Sequence, residues 1–154
     1  MTNGTAIMDI PQGEDTADKR IRIVIADDHP IVRDGIKRLL ALESDIDVVG
    51  EAGDGRAVLD VVHETNPDVL LLDLRMPNLD GLGALETLQQ TNKRTRVIIL
   101  TASEDKNEFV QAMKLGAADF LRKDKLTPAR LVGAINDAIL ERARNHDRVL
   151  ARAR

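Results

Sequence analysis

The sequence predicts an α/β fold in which one parallel sheet is covered by helices on both faces. Apolar runs of four to six residues alternate with segments of helical period from Ile21 onward, which is the pattern of consecutive βαβ units. The runs are nearly continuous, as in strands that are buried on both faces. Five strand–helix units follow one another, and 154 residues suffice for a single domain with one core.

Residues 1–19 carry glycine, proline and acidic residues without periodicity, and we predict a flexible N-terminal extension there. The first predicted strand is Ile21–Ala26. Pro30, a favoured first-turn residue, begins a helix that runs to about Glu43. The apolar face of that helix has helical spacing and consists of Val32, Ile36, Leu39 and Leu40.

Turn residues separate the second and third units. The second strand, 46–51, leads through the loop 53–55 into a helix that Pro67 stops. The third strand is Val69–Leu72, and the turn cluster Met76–Gly81 precedes the third helix. The inward positions of these two helices are apolar residues at helical spacing: Val58, Leu59, Val62, Leu82, Leu85 and Leu88.

The last two units follow the same pattern. The fourth strand is Val97–Leu100, and Ser103 is the predicted cap of a helix over 104–115. The fifth strand is short, 118–121, and Thr127–Pro128 forms the cap and first turn of a long helix. The inward residues of that helix are Leu131, Ile135, Ala138 and Ile139.

Right-handed crossovers arrange five such units best as a flavodoxin-like (βα)5 three-layer sandwich with a parallel sheet of strand order 2-1-3-4-5. Ligands of such sheets bind outside the carboxyl ends of the strands, at the switch point between strands one and three. Asp27 and Asp28 follow strand one and Asp73 follows strand three, so we expect three carboxylates to converge there. Thr101 and Lys123 come after the apolar runs of strands four and five and add a hydroxyl and an ammonium group.

The predicted carboxylate cluster is electrostatically costly without a cation. Two unit charges about 4 Å apart repel each other by roughly 4 kcal/mol at an effective dielectric constant near 20. A divalent metal ion would relieve this repulsion. Together with the hydroxyl and the ammonium group, the cluster is predicted to form a phosphoryl-binding site.

Composition excludes several classes of function. Hydrophobic content of 43% with 31% charged residues is ordinary for a soluble protein, and no apolar run approaches the ~20 residues of a membrane span. The chain has no cysteine, which excludes disulfides and thiol chemistry and fits a cytoplasmic location. A net charge of −4 and an aromatic content limited to Phe109 and Phe120 argue against a nucleic-acid surface on this domain.

Four segments together resemble the receiver domain of bacterial two-component response regulators, closest in style to the NarL/FixJ type. The resemblance covers about 20–145, and the segments are Ile25–Pro30, Leu72–Gly81, Leu100–Ser103 and Gly116–Asp124. It implies that a phosphohistidine on a sensor histidine kinase or a phosphotransfer protein donates its phosphoryl group to Asp73.

The resemblance also implies roles for the neighbouring residues. Asp73 would be the nucleophile, and Mg²⁺ would be held by Asp28 and Asp73, by Asp27 through water, and by the backbone carbonyl of Arg75. Lys123 would pair with a phosphoryl oxygen as a point charge.

A second set of residues is expected to report and tune the modification. Thr101 would donate a hydrogen bond to the phosphoryl group, and the small Ala102 would leave room for it. Phe120 would fill the space that Thr101 vacates, reshaping the surface of helix four, strand five and helix five for a partner or for a phosphorylation-dependent homodimer. Arg75 and Ser103 would tune the hydrolysis of the acyl phosphate.

The end of the chain leaves two interpretations open. NarL/FixJ-type regulators carry a C-terminal helix-turn-helix domain, but after Arg144 only ten residues remain. We therefore expect a receiver domain over 20–145 and a tail over 146–154, with no output domain. The chain is either a stand-alone receiver or a fragment of a regulator that contacts DNA only through the missing domain.

The main rival function is enzymatic. Phosphatases of the haloacid-dehalogenase type also use an aspartate nucleophile with Mg²⁺, but they place a second aspartate two residues after it as acid and base. Arg75 occupies that position here, and the acidic pair lies on strand one. We therefore predict that the chain is not an enzyme.

Overall fold

Five strands form one parallel sheet with helices on both faces. The computed structural model describes residues 20–153, with side chains described over 20–145, so the predicted extension 1–19 and the side chains of the predicted tail lie outside the described residues. The elements, in chain order, are β1 Ile21–Ala26, α1 Pro30–Ala41, β2 Ile46–Ala52, α2 Gly55–Thr65, β3 Val69–Leu72, α3 Gly81–Thr91, β4 Arg96–Thr101, α4 Lys106–Lys114, β5 Asp119–Arg122, a single 3-10 turn Lys123–Lys125, and α5 Pro128–Ala153.

The strand order is β2-β1-β3-β4-β5, which confirms the predicted flavodoxin-like topology. Ala26 pairs with Leu72, so β1 and β3 end at the same level of the sheet. The backbone hydrogen bonds continue one residue further, because the Asp73 amide donates to the Ala26 carbonyl at 2.9 Å and the Asp27 amide donates to Ala52 at 3.0 Å. Both aspartates are therefore fixed to the carboxyl edge of the sheet by the strand pairing itself.

Two apolar cores lie on opposite faces of the sheet, because successive side chains of a strand point to opposite sides. Val24, Leu70 and Ile99 belong to the core that α2, α3 and α4 cover. The residues next to them in the chain, including Ile23 and Leu71, belong to the core beneath α1 and α5. The central strands are thus buried on both faces, as their continuous apolar runs predicted.

Helix α4 differs from the prediction at its start. Ser103 does not cap it. The helix begins at Lys106, and Asp105 is the N-cap, with its side chain accepting a hydrogen bond from the Asn107 amide at 2.8 Å. The Ser103 hydroxyl instead accepts from the Asp105 amide at 3.1 Å, within the loop. Serine and aspartate are both strong caps, so residue preference alone could not choose between them.

Two other helix ends show how local chemistry sets the bounds. The predicted end of α1 near Glu43 was two residues too late, since the chain leaves the helix after Ala41 to enter β2. Helix α2 ends at Thr65. Its C-cap residue Asn66, directly before Pro67, has a φ of 46°, the left-handed conformation that asparagine tolerates.

Helix α5 begins as predicted, because the Thr127 hydroxyl accepts a hydrogen bond from the Arg130 amide at 3.1 Å. Leu131, Ile135 and Ala138 are buried against the sheet. The helix continues to Ala153, so the predicted domain boundary at 145 does not coincide with a helix end. Among residues 20–153, no helix has both the length and the apolar character of a membrane span.

Candidate functional site

Three carboxylates meet at the carboxyl edge of the sheet. Asp27 is 2% exposed and Asp73 is 4% exposed, whereas Asp28 is half-buried. One oxygen from each of these three carboxylates and one ring nitrogen of His29 all lie within 4.8 Å of one another. The strand ends thus bring together the acidic residues that the sequence placed at this edge.

Lys123 enters the same cluster from the end of β5. Its Nζ atom donates hydrogen bonds to Asp27 Oδ2 and, at 3.0 Å, to Asp73 Oδ2. The lysine side chain is largely buried. Three carboxylates therefore face one ammonium group, and when all are ionised the cluster has an excess of negative charge.

Backbone amides fix the orientation of the two buried carboxylates. The His29 amide donates to Asp27 Oδ1 at 2.8 Å, and the Arg75 amide donates to Asp73 Oδ1 at 3.2 Å. The Arg33 guanidinium donates to the backbone carbonyl of Asp27 and also binds Glu51. Because each carboxylate has a fixed partner on one oxygen, its second oxygen is directed to Lys123.

Burial and the neighbouring opposite charge act in opposite directions on the pKa values of Asp73 and Lys123. Burial raises the pKa of Asp73, since the hydrogen bonds from Lys123 and from the Arg75 amide offset this effect only in part and Asp27 adds repulsion. Burial by itself would lower the pKa of Lys123, but its hydrogen bonds to Asp27 and Asp73 together outweigh that effect and raise the pKa. The lysine is consequently a permanent positive charge of the cluster at neutral pH.

The donor set fits a hard divalent cation such as Mg²⁺, which prefers carboxylate and carbonyl oxygens. Asp28 Oδ1 is buried and, within the described residues, has no hydrogen bond of acceptable geometry. His29 Nδ1 lies 2.9 Å from that oxygen but is not aligned with it as a donor. An orphaned carboxylate oxygen beside two further carboxylates is a position where a cation would replace the missing hydrogen bond.

The residues at the end of β4 lie at the same carboxyl edge of the sheet, next to the end of β5. Thr101 is fully buried, and its Oγ1 accepts a hydrogen bond from the Ser103 amide at 3.2 Å. Thr101 pairs with Arg122 in the register of β4 and β5, which places it beside the strand end that carries Lys123. Ala102 is exposed, so nothing bulky occupies the position next to the hydroxyl.

Arg75 links the loop after β3 to the loop after β4. Its side chain is 66% exposed, and its NH2 atom lies 3.5 Å from both Ser103 Oγ and Glu108 Oε2. The arginine therefore lies across the outer side of the site. Both residues predicted to tune the reaction are in contact with each other.

Phe120 is the second residue of β5 and is half-buried against the core that α2, α3 and α4 cover. Its ring packs edge to face with Phe109 of α4, with ring centroids 5.2 Å apart. Phe109 is 45% exposed, and its neighbours Val110 and Met113 are also exposed. A rearrangement of Phe120 would consequently be transmitted to an apolar surface of α4.

Gly81 allows the loop after Asp73 to pack closely against the start of α3. A Cβ atom at position 81 would lie 2.5 Å from Leu74 Cα and 2.6 Å from the Asp73 carbonyl oxygen. The Gly81 amide donates to the Leu74 carbonyl at 3.0 Å. Only glycine allows the backbone at position 81 to pack this closely against the backbone of Asp73 and Leu74.

Sequence reasoning missed three residues of the site. The sequence pattern assigns no role to His29, yet the His29 ring contacts Asp27 and Asp28. The proximity of His29 to the acidic pair in sequence was a usable signal. Arg33 and Glu108 reach the site from α1 and α4 through packing between elements, and no local pattern identifies them.

Proteins of one known family are similar to this chain. The family model of the response regulator receiver domain matches residues 23–136. The probable transcriptional regulatory protein NarL of Mycobacterium tuberculosis is 40% identical over 77% of this chain and 55% of its own length. The nitrate/nitrite response regulator protein NarL of Escherichia coli is 37% identical over 75% of this chain and 53% of its own length.

A solved structure shows the same fold. The two-component response regulator of the LuxR family from Aurantimonas sp. SI85-9A1 superposes with a TM-score of 0.74 at 33% identity, covering 79% of this chain and 86% of that one. The chain spans about half the length of the curated relatives it matches. By its family match, its fold and its relatives, this chain belongs to the response regulator receiver domain family.

Proposed function

We propose that Asp73 accepts a phosphoryl group from a phosphohistidine of a sensor histidine kinase or of a phosphotransfer protein. The observation that carries the proposal is the position of Asp73, buried between Lys123 and the acidic pair Asp27 and Asp28. Membership of a family of two-component signalling receivers supports it. The alternative of a haloacid-dehalogenase-type phosphatase is not supported, because the family match is to receivers and Arg75 stands at the acid/base position.

In the proposed step a carboxylate oxygen of Asp73 attacks phosphorus. The oxygen–phosphorus bond forms as the phosphorus–nitrogen bond of the phosphohistidine breaks, and the imidazole leaves with the bond's electron pair and takes up a proton. The product is an acyl phosphate. Lys123, already 3.0 Å from Asp73, would pair with a phosphoryl oxygen, and the Thr101 hydroxyl would donate to another.

The acidic pair would act through Mg²⁺, with Asp28 and Asp73 as direct ligands, Asp27 through water, and the Arg75 carbonyl as the fourth protein group. When bound, the ion would neutralise charge on the phosphoryl oxygens as an anion approaches an anion. The contact of Lys123 with Asp27 and the amide of His29 would keep Asp27 oriented toward this position.

The proposed switch begins at Thr101. Its hydroxyl oxygen accepts from the Ser103 amide, and a bond from Thr101 to the phosphoryl group would draw the loop 102–105 toward the site. Phe120 would turn into the vacated space beneath that loop and leave Phe109, changing the exposed surface of α4. A partner or a second copy of the chain would bind this surface. Phosphorylation would shift the equilibrium between the two conformations of the surface toward the one that binds.

The output is proposed from the relatives. Those with curated names are transcriptional or nitrate/nitrite response regulators, and the match covers 55% and 53% of their lengths. We therefore propose a cytoplasmic receiver over 20–145 that, in a longer regulator, controls a DNA-binding domain. The extension 1–19 and the segment 146–154 would lie outside the receiver.

The proposal is tested by incubating the chain with acetyl phosphate and Mg²⁺, followed by intact mass spectrometry. We expect the mass to increase by one phosphoryl group in the wild type, but not in Asp73→Asn or in the presence of EDTA. Asp60→Asn, the same change at an exposed position of α2, is the matched control and should be modified normally. Modification of Asp73→Asn to the same extent would refute the assignment of the acceptor.

A further inference from the structure

A pocket rich in arginine lies at the edge of the sheet opposite to Asp73. It is formed where β1, β3 and β4 begin, beside the middle of α5, and its volume is about 250 Å³. Its charged lining consists of Arg20, Arg22, Asp68, Arg94 and Arg142, above two isoleucine side chains. No residue of the phosphorylation site contributes to it.

Asp68 is the centre of this pocket. It is 6% exposed, and its Oδ2 accepts a hydrogen bond from the Arg22 amide at 2.8 Å. Its Oδ1 accepts from both Arg94 NH2, at 2.5 Å, and Arg142 NH2, at 3.3 Å. Two guanidinium groups therefore share a single carboxylate oxygen and lie next to each other.

The positive charge of the pocket exceeds what Asp68 can balance. Among the described residues, Asp68 is the only acidic side chain in the lining. The Arg22 guanidinium donates to the neutral carbonyls of Thr65 and Asn66, at 2.6 and 3.2 Å. Glu141, beside Arg142 in the chain, is paired with Arg96 at 3.2 Å. The lining thus contains four arginines and one carboxylate, and that carboxylate is contacted by the guanidinium groups of Arg94 and Arg142.

We propose that this pocket binds a small phosphate-type oxyanion, such as inorganic phosphate or pyrophosphate. Each guanidinium group has five N–H donors, so Arg94 and Arg142 retain donors after their contact with Asp68. The planar fork matches phosphate oxygens, and an anion between the two groups would relieve their repulsion. The lining has no aromatic side chain on which a nucleobase could stack, which favours the inorganic ions over nucleotides.

A bound anion would connect three parts of the fold. Arg142 belongs to α5, Arg94 precedes β4, and Arg22 belongs to β1. An ion held by these groups would stabilise the packing of α5 on the sheet, far from Asp73. The site does not depend on the proposed phosphorylation, and its test does not involve acetyl phosphate.

The test is a titration of the ¹⁵N-labelled chain with potassium phosphate or pyrophosphate in EDTA, at constant ionic strength, with potassium chloride as the reference salt. We expect saturable shifts of the amide signals at 20–22, 68, 94 and 142, without equivalent shifts at 73, 101 and 123. The variant Arg94→Gln, at a half-exposed residue, should bind about tenfold or more weakly, and Arg94→Gln with Arg142→Gln weaker still.

The matched control is Arg38→Gln with Arg130→Gln, which removes the same charge at two exposed positions outside the pocket and should bind as the wild type does. Circular dichroism before each titration checks that a variant is folded. If the double variant does not fold, the Arg94→Gln result alone decides the test. Non-saturating shifts, equal shifts with chloride, or unchanged affinity in folded Arg94→Gln would overturn the proposal. Saturable binding that centres on the signals of 73 and 123 would do so as well.

Discussion

Replacing Lys123 by methionine removes the ammonium group that lies between Asp27 and Asp73 while keeping an apolar stem of similar length. The lysine side chain is largely buried and hydrogen-bonded to both carboxylates. Breaking a buried charge pair by removing one partner costs about 3–5 kcal/mol, because the remaining charges stay desolvated and unpaired. We expect the free energy of unfolding at pH 8 to fall by about that amount.

The pH dependence of this loss follows from Asp73. Burial raises the pKa of Asp73 in the folded protein, and Lys123 opposes this increase more strongly than the Arg75 amide does. A carboxyl group with a raised folded pKa contributes stability fully below its unfolded pKa of 3.8 and loses that contribution as the pH rises through the folded value. Without the lysine the folded pKa of Asp73 rises further, so the deficit of the variant should shrink as the pH falls toward 4.

Urea denaturation followed by circular dichroism at several pH values measures this deficit, since the chain has no tryptophan or tyrosine for fluorescence. Lys125→Met, at an exposed residue of the same 3-10 turn, is the control for the loss of one charge and should change stability little. The reasoning would be refuted by a Lys123→Met variant as stable as the wild type at pH 8, or by a deficit that does not change with pH.

Three further predictions concern the metal, the backbone and the acyl phosphate. Asp28→Asn should weaken Mg²⁺ binding at least about tenfold, measured by calorimetric titration, because it removes a carboxylate with an orphaned oxygen. The same variant should raise the melting temperature of the metal-free protein, because it reduces repulsion in the cluster. Gly81→Ala should cost about 1–3 kcal/mol of unfolding free energy in urea, since its Cβ would meet backbone atoms at 2.5 Å. Arg75→Ala and Ser103→Ala should each change the lifetime of the acyl phosphate, followed by intact mass after removal of the donor.

Each of these predictions has its own control or its own contradicting result. For Gly81, the matched change is Gly133→Ala in α5, where no atom lies within 4 Å of the new methyl group and helix propensity favours alanine. If both glycine variants changed the unfolding free energy by the same amount, close packing would not explain why position 81 is glycine. Unaltered Mg²⁺ affinity in Asp28→Asn would exclude that carboxylate as a ligand. Equal lifetimes in wild type and both Arg75 and Ser103 variants would contradict the tuning role.

The amino-acid sequence by itself determined the order of elements, the strand order and the three aspartates at the carboxyl edge. These follow from local patterns: a buried parallel strand is a continuous apolar run, and a right-handed crossover leaves few ways to connect five of them. Once the run ending at Ala26 pairs with the run ending at Leu72, Asp27 and Asp73 have to be neighbours.

Only the tertiary structure decided which side chains meet around that edge. Lys123 binds Asp27 as well as Asp73, Arg33 reaches the Asp27 carbonyl, and Arg75 lies against Glu108. The same holds for the arginines that converge on Asp68 from β1, β4 and α5. These contacts join residues far apart in the chain, so they depend on the packing of several elements at once, which no local pattern of apolar and polar residues records.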